Sequence, residues 1–148
     1  MNKEITIYHP NARGTGSAMR VAFHDLCGHD RNYVQIEIAP QSSVGNEPTF
    51  DWYQSLYMRL NRHDVAEICR VIAGGRDEIK GIRNMDRPER DETLSFSYCA
   101  DGNPGYWAKI DFCDRANAVK RAIMLDPAEA YGLKCAFDHA LCPLVFEF

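Results

Sequence analysis

The chain has 148 residues, of which 45% are hydrophobic, 11% aromatic and 26% charged, the composition of a folded domain. These proportions exclude an intrinsically disordered chain, which lacks the aromatic and branched residues needed to offset chain entropy. The net charge of −4 excludes attraction of nucleic acid or anionic lipid by the whole surface, so such binding requires a local positive patch.

The location of the protein is predicted from features that the sequence lacks. No apolar run approaches the roughly 20 residues of a membrane-spanning helix, so no membrane partner is expected. The stretch Met1–Glu4 leads into a strand-like segment without the apolar core of a secretory signal, which predicts a cytoplasmic protein. The six cysteines are then expected to be free thiols, and no Cys-x-x-Cys pair indicates a zinc ribbon or a redox site.

The first half of the chain alternates between apolar and polar residues, which predicts β-strands. The alternating stretches are Ile5–His9, Ser17–Asp25, Tyr33–Ala39 and Phe50–Leu60. Because parallel neighbours need longer crossovers, we expect an antiparallel meander. Asn61 is then expected to cap a helix from about Arg62 to Ala73, which Gly74 ends. The residues predicted to face inward are Met19, Val21, Phe23, Val34, Ile36, Ile38, Phe50, Trp52, Leu56, Met58 and Leu60.

The second half repeats this plan. Its predicted strands are Ile79–Arg83, Glu92–Cys99, Tyr106–Cys113 and Val119–Leu125. The sequence Asp126-Pro127-Ala128-Glu129 then combines an Asp cap, a proline at the first helical position and a glutamate that closes a capping box. The helix is expected to run to about Leu141 and to end at Pro143.

These elements predict an α+β fold made of two tandem ββββα units, which form antiparallel sheets with helices packed on one side. The units span about residues 1–75 and 76–148. Neither half is long enough for a secure core of its own, so we expect one domain with two pseudo-repeats.

The predicted order of elements resembles the Whirly fold, and one unit resembles the PC4-type transcription coactivators. The segments His9–Ser17, Phe50–Trp52 and Pro127–Ala130, with Gly132-Leu133, also resemble a group of bacterial and phage proteins associated with that fold. The resemblance implies binding of single-stranded nucleic acid on antiparallel sheets, and helices at subunit contacts. The lysine-glycine-lysine-alanine-alanine motif of plant Whirly proteins has no counterpart here, so none of their contact residues is carried over.

Side chains predicted to face outward supply rings and cations for such binding. Rings on an open sheet stack on unpaired bases at about 1–3 kcal/mol per base, and arginine and lysine neutralise phosphates. The loop Asn11–Ser17 adds backbone amides, hydroxyls and a guanidinium, which suit a phosphate. The predicted nucleic-acid-binding residues are Arg13, Arg20, Tyr33, Tyr53, Tyr57, Arg59, Trp107, Lys109 and Lys120. We therefore expect a non-enzymatic protein without a cofactor that binds single-stranded DNA in preference to RNA.

The outward residues also suit two alternative roles. The rings can form ordinary cross-strand pairs or pack beneath helices and partner subunits, while Glu37, Asp51 and Asp111 dilute the positive charge. An acidic sheet that bears aromatic residues also suits docking on a host protein, for example as an inhibitor from a mobile element. The apolar segment Leu144–Phe148 is expected to fill the core or to bury against a second subunit. Because helices lie at subunit contacts in Whirly-like proteins, the resemblance implies a homo-oligomer.

Two loops carry patterns that resemble functional motifs. Gly14–Ser17 is not a phosphate-binding P-loop, because the Gly-Lys-Ser/Thr ending is absent and a strand follows. The run Arg83–Glu92 alternates acidic and basic side chains, which is typical of a solvated surface loop. A mobile loop of this kind could also close over a bound strand.

No metal or catalytic set is complete in the sequence. Three residues of zinc-ligand type lie close together at His24, Cys27 and His29, but a structural zinc site needs a fourth ligand. Cys135 and His139 share a helix face at i and i+4, which alone does not make a catalytic pair. The sequence therefore predicts no metal and no enzyme.

Overall fold

The computed structural model describes residues 3–24, 33–114 and 117–146. Within these ranges the chain forms eight β-strands, two α-helices and one short 3₁₀ helix. The elements are β1 (Lys3–His9), β2 (Ser17–His24), β3 (Tyr33–Pro40), the 3₁₀ helix (Trp52–Gln54), β4 (Leu56–Leu60), α1 (Arg62–Ile72), β5 (Glu78–Arg83), β6 (Glu92–Cys99), β7 (Gly105–Asp114), β8 (Asn117–Leu125) and α2 (Pro127–Phe146).

The strands form two four-stranded antiparallel sheets. The first sheet has the order β1-β2-β3-β4 and the second has the order β5-β6-β7-β8. Neighbours in each sheet are also neighbours in sequence, and one α-helix follows each sheet. The predicted α+β fold of two tandem ββββα units is therefore confirmed.

Alternation along the strands gives each sheet an inner face, which is buried, and an outer face. In the first sheet the inner positions of β2, β3 and β4 predicted from the sequence are buried, except Leu56, which is half-buried. The inner faces of both sheets and both helices contribute to a shared apolar cluster, whose largest fully buried members are Phe96, Phe137, Met19, Ile36, Ile38, Met58, Leu60, Ile68, Leu94, Ile110, Ile123 and Leu125.

Both helices begin at the predicted caps. The side chain of Asn61 accepts a hydrogen bond from the amide of Asp64 at 2.9 Å. At α2, Asp126 accepts from the amide of Glu129 at 2.7 Å, and Glu129 accepts from the amide of Asp126 at 3.0 Å. Among the described helices, none is both long and apolar enough to cross a membrane.

The predicted strand Phe50–Leu60 is wrong in its first half. Asp51 accepts a hydrogen bond from the amide of Tyr53 at 3.1 Å, and the amide of Ser55 donates to Trp52 at 3.3 Å. These local bonds form the 3₁₀ helix, so only Leu56–Leu60 joins the sheet. Consequently Trp52 lies over the guanidinium of Arg20, which belongs to the outer face, instead of facing inward.

The predicted end of α2 at Pro143 is also wrong. The helix continues through Pro143 to Phe146. A proline removes one intrahelical hydrogen bond, but the bonds of its neighbours can carry the helix past it.

Strand β5 contains a bulge that changes which face its residues occupy. Glu78 and Ile79 pair with Ser97 and Phe96, whereas Ile82 pairs with Leu94, so two residues of β5 stand opposite one residue of β6. Gly81, at φ +76°, supplies the left-handed conformation at this point. Because of the bulge, Ile82 is buried on the inner face although Glu78, four residues earlier, lies on the outer face.

Candidate nucleic-acid interface

The loop between β1 and β2 is held by internal hydrogen bonds. The side-chain oxygen of Gln41 accepts from the amides of Asn11 and Gly16 at 2.9 and 3.0 Å. The side chain of Asn11 accepts from the amides of Arg13 and Thr15 at 3.1 and 3.0 Å. The amides of Asn11, Arg13, Thr15 and Gly16 are therefore already bonded within the protein, and a phosphate would have to compete with these bonds. The guanidinium of Arg13 is exposed and has no ion-pair partner among the described residues.

Gly16 has a structural role in this loop, which resembles a phosphate-binding P-loop only in its glycine content. A Cβ at this position would lie 2.2 Å from the carbonyl oxygen of His9 and 2.6 Å from the side-chain oxygen of Gln41. Glycine is therefore required here because the backbone of His9 and the side chain of Gln41 occupy the space that a Cβ would need.

On the outer face of the first sheet, Arg20 contacts two neighbours, Glu37 and Trp52. It donates to Glu37, which stands opposite it in the sheet, at 2.7 and 3.2 Å. Glu37 also accepts from the hydroxyl of Ser55. The guanidinium carbon of Arg20 lies 4.2 Å from the centre of the Trp52 ring. A phosphate at Arg20 would have to displace a charge-assisted hydrogen bond.

Tyr33, Tyr57 and Arg59 form a second network on the same face. Arg59 donates to Asp86 at 3.0 Å, and the hydroxyl of Tyr57 donates to the other carboxylate oxygen at 3.1 Å. The guanidinium of Arg59 stacks 4.5 Å from the Tyr33 ring, and that of Arg87 stacks 4.6 Å from the Tyr57 ring. Burial and the hydrogen bond to Asp86 raise the pKa of Tyr57 above its usual value. These rings and cations are thus partnered with one another.

The charged loop of residues 84–91, which supplies Asp86 and Arg87, connects β5 to β6 and contacts β4 of the first sheet. Buried Asn84 donates to the carbonyl of Tyr57 at 3.1 Å and accepts from the amide of Arg59 at 3.2 Å. Glu92 is only 1% exposed and lies 2.9 Å from Arg87. Most of the loop is exposed, as predicted for a solvated mixed-charge segment, but Asn84 and Glu92 are buried and anchor it.

The outer face of the second sheet has fewer internal contacts. Trp107 is 42% exposed, and none of the described rings or cations stacks on its indole. Lys109 approaches Asp111 only to 3.7 Å, beyond hydrogen-bond distance. Lys120 is exposed and forms no ion pair within the described residues, although Asp111 stands opposite it in the sheet. This face therefore offers a ring and two cations that are available to a ligand.

Small side chains beside Trp107 leave a shallow depression of about 370 Å³ in this face. Its lining residues are Glu78, Ser95, Ser97, Trp107, Lys109 and Ala122. They occupy two adjacent cross-strand rows, because Ser97 stands between Glu78 and Trp107, and Lys109 stands between Ser95 and Ala122. The depression therefore combines an apolar wall, two hydroxyls, one cation and one carboxylate.

Tyr53 lies apart from both outer faces, in the 3₁₀ helix. Its side chain is fully exposed. The carbonyl of the next residue, Gln54, accepts from Arg121 of β8 at 2.9 Å, and Ser17 donates to the carbonyl of Ala122 at 2.7 Å. These contacts join the first sheet to the edge of β8, so Tyr53 stands beside the second sheet.

Within the described part of the chain, the remaining candidate chemical groups are not assembled into a site. Among residues 3–24, 33–114 and 117–146, no group of three His, Cys, Asp or Glu side chains is placed to hold a metal ion. Cys27 and His29 lie outside these ranges. Cys135 and His139 are exposed on α2, and no hydrogen bond joins their described side chains. Burial raises the pKa of the Cys69 thiol to about 12, which disfavours the nucleophilic thiolate.

The structure thus separates the predicted residues into groups. Arg20, Tyr33, Tyr57 and Arg59 share the outer face of the first sheet, while Trp107, Lys109 and Lys120 share that of the second. Sequence reasoning missed Glu78, Ser95 and Ser97, which line the depression. The alternation of β6 would have placed both serines on the outer face. Gly81 was the sequence feature that could have predicted the bulge in β5, next to which Glu78 lies on the outer face.

Solved structures share this fold at low sequence identity. WHY1, a Whirly protein from Arabidopsis thaliana, has a TM-score of 0.73 and 17% identity, covering 99% of this chain and 92% of that chain. A guide-RNA-binding protein complex bound to a gRNA has a TM-score of 0.74 and 16% identity, covering 100% and 96%. The plant transcriptional regulator PBF-2 has a TM-score of 0.70 and 17% identity, covering 96% and 81%.

No family model and no curated protein matches the chain by sequence. The shared arrangement of two ββββα units over nearly the whole of each chain therefore establishes the fold and not the activity. The chain has a Whirly-like fold.

Proposed function

We propose that this protein is a non-enzymatic single-stranded nucleic-acid-binding protein that uses the outer face of the second sheet. The observation that carries the proposal is the exposed Trp107 beside Lys109 and Lys120 on a sheet face with open space around the ring. Aromatic rings stack on any unpaired base, and neighbouring cations neutralise the phosphates that join such bases.

The fold supports the same proposal. Two structures that share it are described as a guide-RNA-binding protein complex and a transcriptional regulator. A sheet face suits single strands better than a duplex, because the bases of a duplex are stacked and paired and cannot reach Trp107. Single-stranded DNA is the ligand that we propose first, and the protein would act in replication, recombination or transcription of a bacterium or mobile element.

Charge sets the expected strength of binding. The net charge of −4 opposes the approach of a polyanion over most of the surface, so binding depends on a few local contacts. On the second sheet Lys109 and Lys120 are available, and Tyr53 offers a further ring beside β8. We therefore propose moderate affinity with a shallow salt dependence, since few counterions are released.

The experiment is a salt titration of binding to labelled oligo-dT, to the matching RNA and to a duplex of the same length. A Trp52→Phe variant leaves Trp107 as the only tryptophan, so quenching of its fluorescence reports stacking at the proposed site. We expect single strands to bind more tightly than the duplex and to quench Trp107.

Tyr131→Ala provides the control, because Tyr131 is 67% exposed on α2 and lies outside the proposed face. It should bind as the original protein does. Absence of binding to any oligonucleotide at low salt, with co-purification of a protein partner, would contradict the proposal and favour docking on a host protein instead.

A further inference from the structure

The depression beside Trp107 has a chemically asymmetric lining. In one cross-strand row Glu78 and Trp107 stand on either side of Ser97, whose small side chain leaves the space between them open. Lys109 and Ser95 line the adjacent row. A carboxylate therefore borders the same space as the stacking ring, while the cation lies in the neighbouring row.

The carboxylate of Glu78 is available to a ligand. It is held on the outer face by the bulge at Gly81, and its side chain is 49% exposed. Its described ion-pair partner is Lys80 at 3.7 Å, which is beyond hydrogen-bond distance, and the Lys80 side chain is 79% exposed. Binding at Glu78 therefore does not require a tight internal pair to break.

A carboxylate discriminates among the groups of a nucleic acid. It repels phosphates and carbonyl oxygens and accepts hydrogen bonds from N–H groups. Guanine presents the N1 and N2 donors side by side on its pairing edge, which match the two carboxylate oxygens. Thymine and uracil present a single N–H between two carbonyl oxygens, which a carboxylate disfavours.

We propose that the depression is a guanine-selective subsite, in which Trp107 stacks on the base, Glu78 accepts from its pairing edge and Lys109 neutralises a flanking phosphate. This inference rests on the proposed function, because it names the base that one position of the bound strand prefers. The remaining contacts are with phosphates or ring faces and carry no base preference.

The test uses labelled oligo-dT in which one central thymine is replaced by guanine or by hypoxanthine, which lacks the N2 donor. We expect the guanine strand to bind roughly tenfold more tightly than oligo-dT, and the hypoxanthine strand to lie between them. Glu78→Gln should remove the guanine preference, and it should raise the affinity for oligo-dT, because the carboxylate that repels phosphates and thymine carbonyls is gone. Glu47→Gln makes the same charge change on an exposed loop and should keep the preference.

The outcomes separate this inference from the function on which it rests. Equal affinity for the three strands, or a guanine preference that survives Glu78→Gln, would overturn the subsite while oligo-dT binding still supports the function. Failure to bind any of the strands would overturn both.

Discussion

The outer faces of the two sheets both carry aromatic rings and cations, but these side chains differ in whether they have partners within the protein. On the first sheet, Arg20 is bonded to Glu37, and Arg59 and Tyr57 are bonded to Asp86. On the second sheet, Trp107 and Lys109 have no partner within hydrogen-bond or stacking distance among the described residues. The same residue types stabilise the protein on one face and stay available to a ligand on the other.

The difference arises from what covers each face. The 3₁₀ helix and the charged loop fold against the first sheet and supply Trp52, Asp86 and Arg87 as partners for its rings and cations. On the second sheet, small side chains of serine and alanine line the depression beside Trp107, Met124 stands opposite the ring, and none of the described rings or cations stacks on it. A side chain that faces outward is therefore not always available to a ligand, because neighbouring segments decide which outward side chains already have partners.

The largest expected effect is on stability, at the junction between the charged loop and β4. Asn84→Ala removes hydrogen bonds to Tyr57, Arg59 and Asp86 from a side chain that is 1% exposed. Unsatisfied buried groups make this change cost about 3 kcal/mol in the free energy of unfolding. Urea denaturation measures it, and a loss of stability no greater than that of a surface substitution would contradict the structural role of the loop.

The next effect is on binding. Trp107→Ala should weaken binding of oligo-dT by about 2 kcal/mol, or roughly thirtyfold, because one base loses its stacking partner. Fluorescence anisotropy measures the affinity, and urea denaturation is run alongside it, because more than half of the ring is buried and its removal also lowers the free energy of unfolding. A thirtyfold loss in the Tyr131→Ala control as well would show that the effect is not specific to this face.

Parts of this comparison were predictable from the sequence. Alternation assigned Arg20 and Trp107 to outer faces correctly, because a period of two residues is dictated by the strand backbone. The pairing of Arg59 with Asp86 was not predictable, since it depends on a loop from the other half of the chain. The 3₁₀ helix was missed because hydrogen bonds around Asp51 override an alternating pattern.

The position of Glu78 shows a further limit. Strict alternation would place Glu78 and Ile82 on the same face, but the bulge separates them. Gly81 marks the position where a bulge is favourable, yet only the pairing with β6 shows that one occurs.

The lysines of the second sheet should affect binding less than Trp107 does. Lys109→Ala and Lys120→Ala should each reduce the slope of log affinity against log salt by about 0.7, because each removes one phosphate contact with a single strand. Salt titrations of the two variants measure this change. An unchanged slope in both variants would place the phosphates elsewhere on the molecule.

The smallest expected effect is a pH dependence on the first sheet. Because burial and Asp86 raise the pKa of Tyr57, its contribution to stability is complete below pH 10 and decreases as the pH rises through the folded value. Tyr57→Phe should cost about 0.5–1 kcal/mol at neutral pH and should show a smaller decline above pH 10. Urea denaturation across this range measures both. A steeper alkaline decline in Tyr57→Phe would contradict the assignment.

The central claim is tested most directly by two matched double variants, each lacking one ring and one cation. Trp107→Ala/Lys109→Ala alters the second sheet, and Tyr33→Ala/Arg59→Ala alters the first. Affinity for oligo-dT is measured where circular dichroism shows that both are folded. We predict a loss of more than about tenfold for the second-sheet variant and less than about threefold for the first-sheet variant. The reverse order, or equal losses, would contradict the claim that the second sheet binds the strand.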